Sequence, residues 1–358
     1  MNPLEEWIHS FIKTEAAENP EFQEFIGKKT LEKITKDDVA KYQLYKLRKV
    51  LRYVYERSPF YRGLFRKAGV APEGIKRIQD LARFPFTESK NISEAPYQFL
   101  CVSQSQILRG FTVEEIFGPT RRIFFTENEL KRIVEAVTVG LRMIGLKNGS
   151  VVQITYPWEP EWGLPDIVER GVKLGGGKPV VAEALKFEKQ IKEIQRVNPS
   201  MIIGPNPYLR EFTEWAKNRF DLRQLNVESL VLSRGCDFFP FSESLRKELE
   251  ESWGCKVFDH YGVTEASFTL ALECQEQKGL HLNEYDVYVE VIDPASGETV
   301  DIGEEGELVF TTLNRRGMPF VRYRSRDIAA LVEEPCECGA KANRRITGIK
   351  GKVEEETP

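Results

Sequence analysis

Lys256-Val257-Phe258-Asp259-His260-Tyr261-Gly262-Val263-Thr264-Glu265 begins as a short apolar strand and ends in small, polar and aromatic residues. The same texture recurs upstream. Residues 151–156, 178–181, 200–205 and 229–232 each read as a buried strand. Residues 187–197, 208–219 and 241–253 between them carry helical spacing. Short apolar strands alternating with helices imply a parallel sheet covered on both faces. In such folds ligands sit at the carboxyl ends of the strands. That places Gly204-Pro205-Asn206, Ser233-Arg234-Gly235 and His260-Tyr261-Gly262 on one rim.

Downstream of Glu265 the pattern changes to strands only. Residues 287–292, 306–311 and 320–323 alternate or run apolar, with a turn at Asp293-Pro294-Ala295-Ser296-Gly297-Glu298. This predicts a small antiparallel, barrel-like subdomain. Upstream, Tyr42, Leu47, Val50, Leu51 and Val54 mark an amphipathic helix that Pro59 ends. Thr87, after the break at Pro85, is positioned to cap a following turn. The expected organisation is a helical region over 1–100, an α/β body over 101–265, an antiparallel β subdomain over 266–346 and a hinge-like tail over 347–358. The fold class is α/β, with layered, doubly wound and mostly parallel sheets.

Composition narrows the function. The chain has 358 residues, 41% hydrophobic and 30% charged, with a net charge of −4. Those proportions suit a globular enzyme, and the balance lacks the basic face that nucleic acid requires. There is no run of eighteen apolar residues, so no membrane span is expected. The first residues lack the order of a signal peptide, so the cytoplasm is the default setting. Six cysteines are too sparse for a disulfide scaffold.

Tyr261 offers a flat face for a purine, Gly262 a sharp turn, Thr264 a hydroxyl to phosphate and Glu265 a hard oxygen to Mg²⁺. An ordinary strand-to-loop turn would explain the same residues about as well. They are followed, however, by Gly279-Leu280-His281, by Gly306-Glu307-Leu308-Val309-Phe310-Thr311-Thr312-Leu313 and by Met318-Pro319-Phe320-Val321-Arg322-Tyr323-Arg324-Ser325-Arg326-Asp327. This ordered set resembles the adenylate-forming acyl-CoA synthetase superfamily, in its phenylacetate–coenzyme A ligase branch. The resemblance implies activation of a carboxylic acid by ATP to an acyl-adenylate, with coenzyme A as a further ligand. It also implies site residues. Gly235, Cys236 and Asp237 would hold the adenine, with Tyr261 stacking on it beside His260 and Gly262. Thr264 and Glu265 would take phosphate and Mg²⁺ as the catalytic pair. Asp327 would bind both ribose hydroxyls, and Lys352, at the hinge, would join the nucleotide-binding residues. The acid would enter near Gly204 and the aromatic loop of Tyr156, Trp158 and Trp162, although those rings suit packing equally well.

Two segments depart from that family. A Ser/Thr/Gly phosphate loop ending in Gly-Lys-Pro is replaced by Arg109-Gly110-Phe111-Thr112-Val113-Glu114-Glu115-Ile116-Phe117-Gly118-Pro119-Thr120. Glu114 and Glu115 stand where polyphosphate would lie, and Arg121 and Arg122 follow close enough to offset part of that charge. At the other end, Arg345-Ile346-Thr347-Gly348-Ile349-Lys350-Gly351-Lys352 resembles the family's hinge, and the C-terminal lid is expected to be absent. A homodimer, or a partner chain supplying the lid, is then left open. Two functions compete: an acid-activating enzyme or half-enzyme, and a non-catalytic member that binds an adenine nucleotide or acyl-adenylate. Finally, Cys274, His281, Cys336 and Cys338 supply three thiolates and an imidazole, a set suited to structural Zn²⁺.

Overall fold

The computed structural model describes residues 2–27, 31–114, 119–157, 163–182, 186–233 and 241–353. Its contacts divide the chain into two compact units. One comprises residues 1–129, 263–267 and 282–358, and the other residues 130–262 and 268–281.

The second unit holds the parallel sheet. Its strands run in the order Lys178–Val181, Val151–Ile154, Met201–Pro205, Ser229–Ser233 and Lys256–Val263, every neighbouring pair parallel. The chain moves outward from Val151–Ile154 to the edge strand, then returns to the other side. That reversal places a topological switch point between Val151–Ile154 and Met201–Pro205, where α/β sheets open a binding crevice. Burial explains the strand composition: Val152, Ile202, Leu230, Leu232 and Val257 are nearly inaccessible. Helices Phe187–Val197, Asn206–Ala216 and Glu243–Trp253 cover Ile202, Leu230, Leu232 and Val257 with Ile191, Ile194, Leu209, Phe212, Leu249 and Trp253. The Trp253 indole N–H donates to Thr213 Oγ1 at 2.9 Å, which satisfies the one polar atom the ring buries.

The first unit opens with four helices, Pro3–Glu18, Pro20–Ile26, Lys36–Arg57 and Pro59–Ala68. Three start on proline, which suits the first helical position because its missing N–H has no partner there. Asn2, Asn19, Thr35 and Ser58 cap them by accepting from backbone N–H groups. Pro59 thus both ends one helix and opens the next. Strands Val287–Ile292, Glu305–Thr312 and Tyr323–Val332 pair antiparallel in that order. Arg345–Ile346 and Gly351–Lys352 pair with Tyr323–Val332, and Ile107–Val113 forms a hairpin with Arg121–Thr126.

Five expectations need correction. Lys178–Val181, expected as a buried strand, is a strand but not buried, because it lies at the sheet edge, and Val181 is 49% exposed. The antiparallel strands among the described residues form an open order, not a barrel-like closure. The strand expected over 320–323 begins at Tyr323, because residues before it turn through Arg322 at φ 47°. Arg322 is buried there against Glu290 at 3.1 Å and donates to the carbonyls of Ala82 and Phe84. Thr87 caps no helix. It donates to the Val321 carbonyl at 2.7 Å and shares a hydrogen bond with the Tyr61 hydroxyl. The strand at Lys256 continues through Gly262 to Val263, so the sharp turn falls at Thr264–Ala266 instead of at Gly262. Among the described residues, no helix is long and apolar enough to cross a membrane.

Candidate functional site

The turn at Thr264 and Glu265 is held by arginines. The Glu265 carboxylate is 3% exposed, and its Oε1 accepts from Arg121 Nε at 2.7 Å and from the Tyr323 hydroxyl at 3.1 Å. Arg121 is itself buried, because it starts the strand Arg121–Thr126 in phase with core residues Ile123 and Phe125. Its second nitrogen donates to the Pro119 carbonyl. Arg315 holds the main chain of the same turn, donating to the carbonyl oxygens of Glu265 at 2.6 Å and Thr264 at 3.3 Å. Its guanidinium lies 4.0 Å from the Phe125 ring centroid and 5.3 Å from that of Phe320. Burial pushes the Arg315 pKa down to about 10, against the pull of Glu129 and Glu265.

Asp327 and Lys352 meet on neighbouring strands. They are register partners, and Lys352 Nζ lies 3.9 Å from Asp327 Oδ1. The Asp327 N–H donates to Ser325 Oγ, and the Arg326 N–H before it to Glu307. Arg326 sits at φ 66°, a left-handed conformation that bends the strand just before the carboxylate.

On the parallel sheet, His260 stands opposite Ser233 in register, and Tyr261 is 3% exposed. Tyr156 is buried beside the switch point. Gly204 has a packing reason of its own. A Cβ there would fall 2.1 Å from Thr155 Oγ1, which donates to the Ile203 carbonyl. Gly235, Cys236, Asp237, Trp158 and Trp162 lie outside the described residues, as does the stretch 115–118.

The ligand atoms of Cys274, His281, Cys336 and Cys338 all lie within 4.8 Å of one another. Cys274, His281 and Cys336 are buried. Gly339, at φ 94°, turns the chain out of the knuckle, and its N–H donates to the Cys336 carbonyl. The N-terminal helix braces this loop. Asn2 Nδ2 lies 3.1 Å from Cys338 Sγ, and Glu5 Oε2 accepts from the N–H groups of Lys341, Ala342 and Asn343 at 2.8 to 3.0 Å.

The chain is 31% identical over 339 residues to a phenylacetate–coenzyme A ligase of Thermus thermophilus, covering 91% of this chain and 73% of that one. It belongs to the phenylacetate–coenzyme A ligase family. The ligases of Aromatoleum evansii and Escherichia coli are 30% and 27% identical, over similar shares of length. Residues 169–314 match the AMP-binding enzyme model. An open-conformation crystal structure of 2-hydroxyisobutyryl-CoA ligase superposes with a TM-score of 0.82 over 91% of this chain and 77% of that one, at 22% identity, and so shares the fold.

For this phenylacetate–CoA ligase family member, sequence reasoning missed two features. The Arg121–Glu265 pair was within reach, since an arginine in phase with Ile123 and Phe125 must be buried and must find a carboxylate. Which carboxylate it finds, 144 positions away, needs the fold. The brace from Asn2 and Glu5 had no local signal, as its bonds span 336 to 338 positions.

Proposed function

We propose that this chain activates a carboxylic acid with ATP to an acyl-adenylate and passes the acyl group to coenzyme A. The observation that carries this reading is the Asp327–Lys352 pair: two distant residues, both assigned to the nucleotide from sequence, meet on adjacent strands. A carboxylate fixed this way has the acceptor oxygens that two ribose hydroxyls need. Tyr261 supplies the aromatic face for adenine, and Thr264 sits in a turn whose carbonyls Arg315 fixes. Attack of the acid on the α-phosphate then depends on positioning and charge stabilisation more than on covalent help. The switch point beside Tyr156 is the acid's entry on this reading.

Mg²⁺ at Glu265 does not fit the arrangement observed. The carboxylate already neutralises Arg121, and at 3% exposure it offers no space for the waters Mg²⁺ retains. No step is therefore routed through a metal there. Zinc fits the four-residue cluster. Four soft donors within 4.8 Å approach the spacing of about 3.8 Å between sulfurs on one tetrahedral Zn²⁺ with bonds of about 2.3 Å. Such an ion would be structural, since four protein ligands leave no open position. No disulfide joins the described cysteines, which suits a cytoplasmic setting.

The test is acid-dependent exchange of pyrophosphate into ATP, with aryl and short aliphatic acids, followed by thioester formation with coenzyme A. Exchange with at least one acid supports activation, and thioester formation supports the full reaction. Absence of exchange alongside tight AMP binding would favour the second reading, a nucleotide-binding member without turnover, to which the Arg121–Glu265 pair lends support.

A further inference from the structure

We infer that Arg121 is the resident cation of the Thr264–Glu265 turn, so that a divalent ion gains the Glu265 carboxylate only when the guanidinium is withdrawn. The inference rests on the adenylate-forming reading, in which Glu265 stands at the phosphate end of the nucleotide.

Three observations carry it. First, the pair is built into the core. Nε and Oε1 are 2.7 Å apart, and the two side chains are 2% and 3% exposed. Strand phase fixes Arg121 on the same face as Ile123 and Phe125, so the guanidinium cannot swing into solvent without unpacking the strand end. Second, the acceptor is shared. Tyr323 donates to the same oxygen that Arg121 holds, so the carboxylate charge is drawn toward that side.

Third, the charges of the described residues named at this turn already balance. Arg121 and Arg315 stand against Glu265 and Glu129. Glu129 is committed to the N–H groups of Thr126, Arg316 and Gly317. Arg315 is bound to the turn's carbonyls and sandwiched near Phe125 and Phe320. Two guanidinium groups and two carboxylates need no further ion. A divalent cation would add two positive charges beside a guanidinium where water screens poorly. It would also have to surrender hydration that Mg²⁺ gives up reluctantly.

Mn²⁺ is the probe, followed by electron paramagnetic resonance on the full chain without nucleotide and with AMP. The expected result is that the unmodified chain and Glu265→Gln give the same Mn²⁺ titration. Arg121→Gln should gain a site at least tenfold tighter, which Arg121→Gln combined with Glu265→Gln should lose. Arg121→Lys, which keeps a cation, should behave as the unmodified chain. Mn²⁺ uptake by the unmodified chain that disappears in Glu265→Gln would overturn the inference, and that comparison holds even if Arg121→Gln fails to fold. A folded Arg121→Gln that gains no site would overturn it equally. AMP binding is read in a separate calorimetric titration. Its absence would count against the adenylate-forming function, whereas Glu265-dependent Mn²⁺ uptake counts against the internal cation.

Discussion

The Glu265 turn and the Cys336–Cys338 knuckle both bury electron-rich atoms, but they treat them differently. Glu265 meets a full positive charge from within the chain, the Arg121 guanidinium at 2.7 Å. The knuckle's sulfur at Cys338 meets a neutral amide, Asn2, at 3.1 Å, and stands within 4.8 Å of three other donors. Burial raises the Cys338 pKa, which opposes the thiolate unless a cation compensates. A buried anion needs a cation or a dense set of donors. The turn has supplied its own cation, and the knuckle has gathered ligands suited to an external one.

The largest effect expected from this contrast is at the knuckle. Protein purified without chelator should contain about one zinc per chain by elemental analysis, because a four-ligand structural site holds its ion tightly. Cys336→Ser should lose that zinc and melt earlier, while Cys101→Ser should keep it. Cys101 sits apart from the cluster, its thiol pushed up to about 12 by burial. Zinc retained in full by Cys336→Ser would remove the distinction between the two regions.

Glu5 extends the comparison to a carboxylate held by neutral backbone donors. Its Oε2 collects three backbone N–H groups just beyond the knuckle. Glu5→Ala would leave those donors without their acceptor, at a cost of about 2 to 4 kcal/mol, given about 1–3 kcal/mol for a buried unsatisfied group. Thermal melting would read this directly. A change under about 0.5 kcal/mol would mean that water replaces the carboxylate and that the brace is incidental.

Asp327 lies between the extremes, since its cation is only 3.9 Å away and partly exposed. Asp327→Asn keeps the shape but removes the charge that strengthens hydrogen bonds to ribose. AMP affinity should fall roughly ten- to a hundredfold, the equivalent of about 1.5–3 kcal/mol for charged hydrogen bonds. Calorimetry with AMP measures it, and unchanged affinity would take Asp327 out of the site.

These residues also show what sequence could and could not reveal. Strand Val287–Ile292 falls where its pattern ends, because the run is buried along most of its length, whereas Lys178–Val181 forms at the sheet edge, where the apolar residues that marked the strand stay partly exposed. The Cys and His cluster was legible because few residue types serve as soft ligands. The strand starting at Tyr323 was misread at its beginning. Phe320 and Val321 are buried like strand residues, but the backbone turns through Arg322, whose reason for turning is Glu290 and two distant carbonyls. The Arg121–Glu265 pairing belongs to the same class, since local pattern marks a buried charge without naming its partner.

The smallest expected effect is at Glu15, which repeats the internal-cation solution near the surface. Its carboxylate lies 2.8 Å from Lys46 Nζ, with the two side chains 20% and 14% exposed. Burial alone would raise the Glu15 pKa, but the bonds from Lys46 and Asn19 outweigh it and hold the group below its ordinary value. A carboxylate lowered on folding contributes stability that is present above its unfolded pKa of about 4.3 and is lost as pH falls through the folded value. Glu15→Gln should therefore cost about 1 kcal/mol at pH 7, a shift of a few degrees at most in a chain of this size. The difference from the unmodified chain should shrink as pH drops below about 4. Lys46 complicates the variant in a useful way. Burial lowers its pKa and the Glu15 bond raises it, so removing the carboxylate leaves the ammonium partly desolvated and alone. A pH-independent deficit would then point to lost packing in place of lost charge. A deficit confined to neutral pH would support the view that this fold stabilises its buried carboxylates with cations of its own.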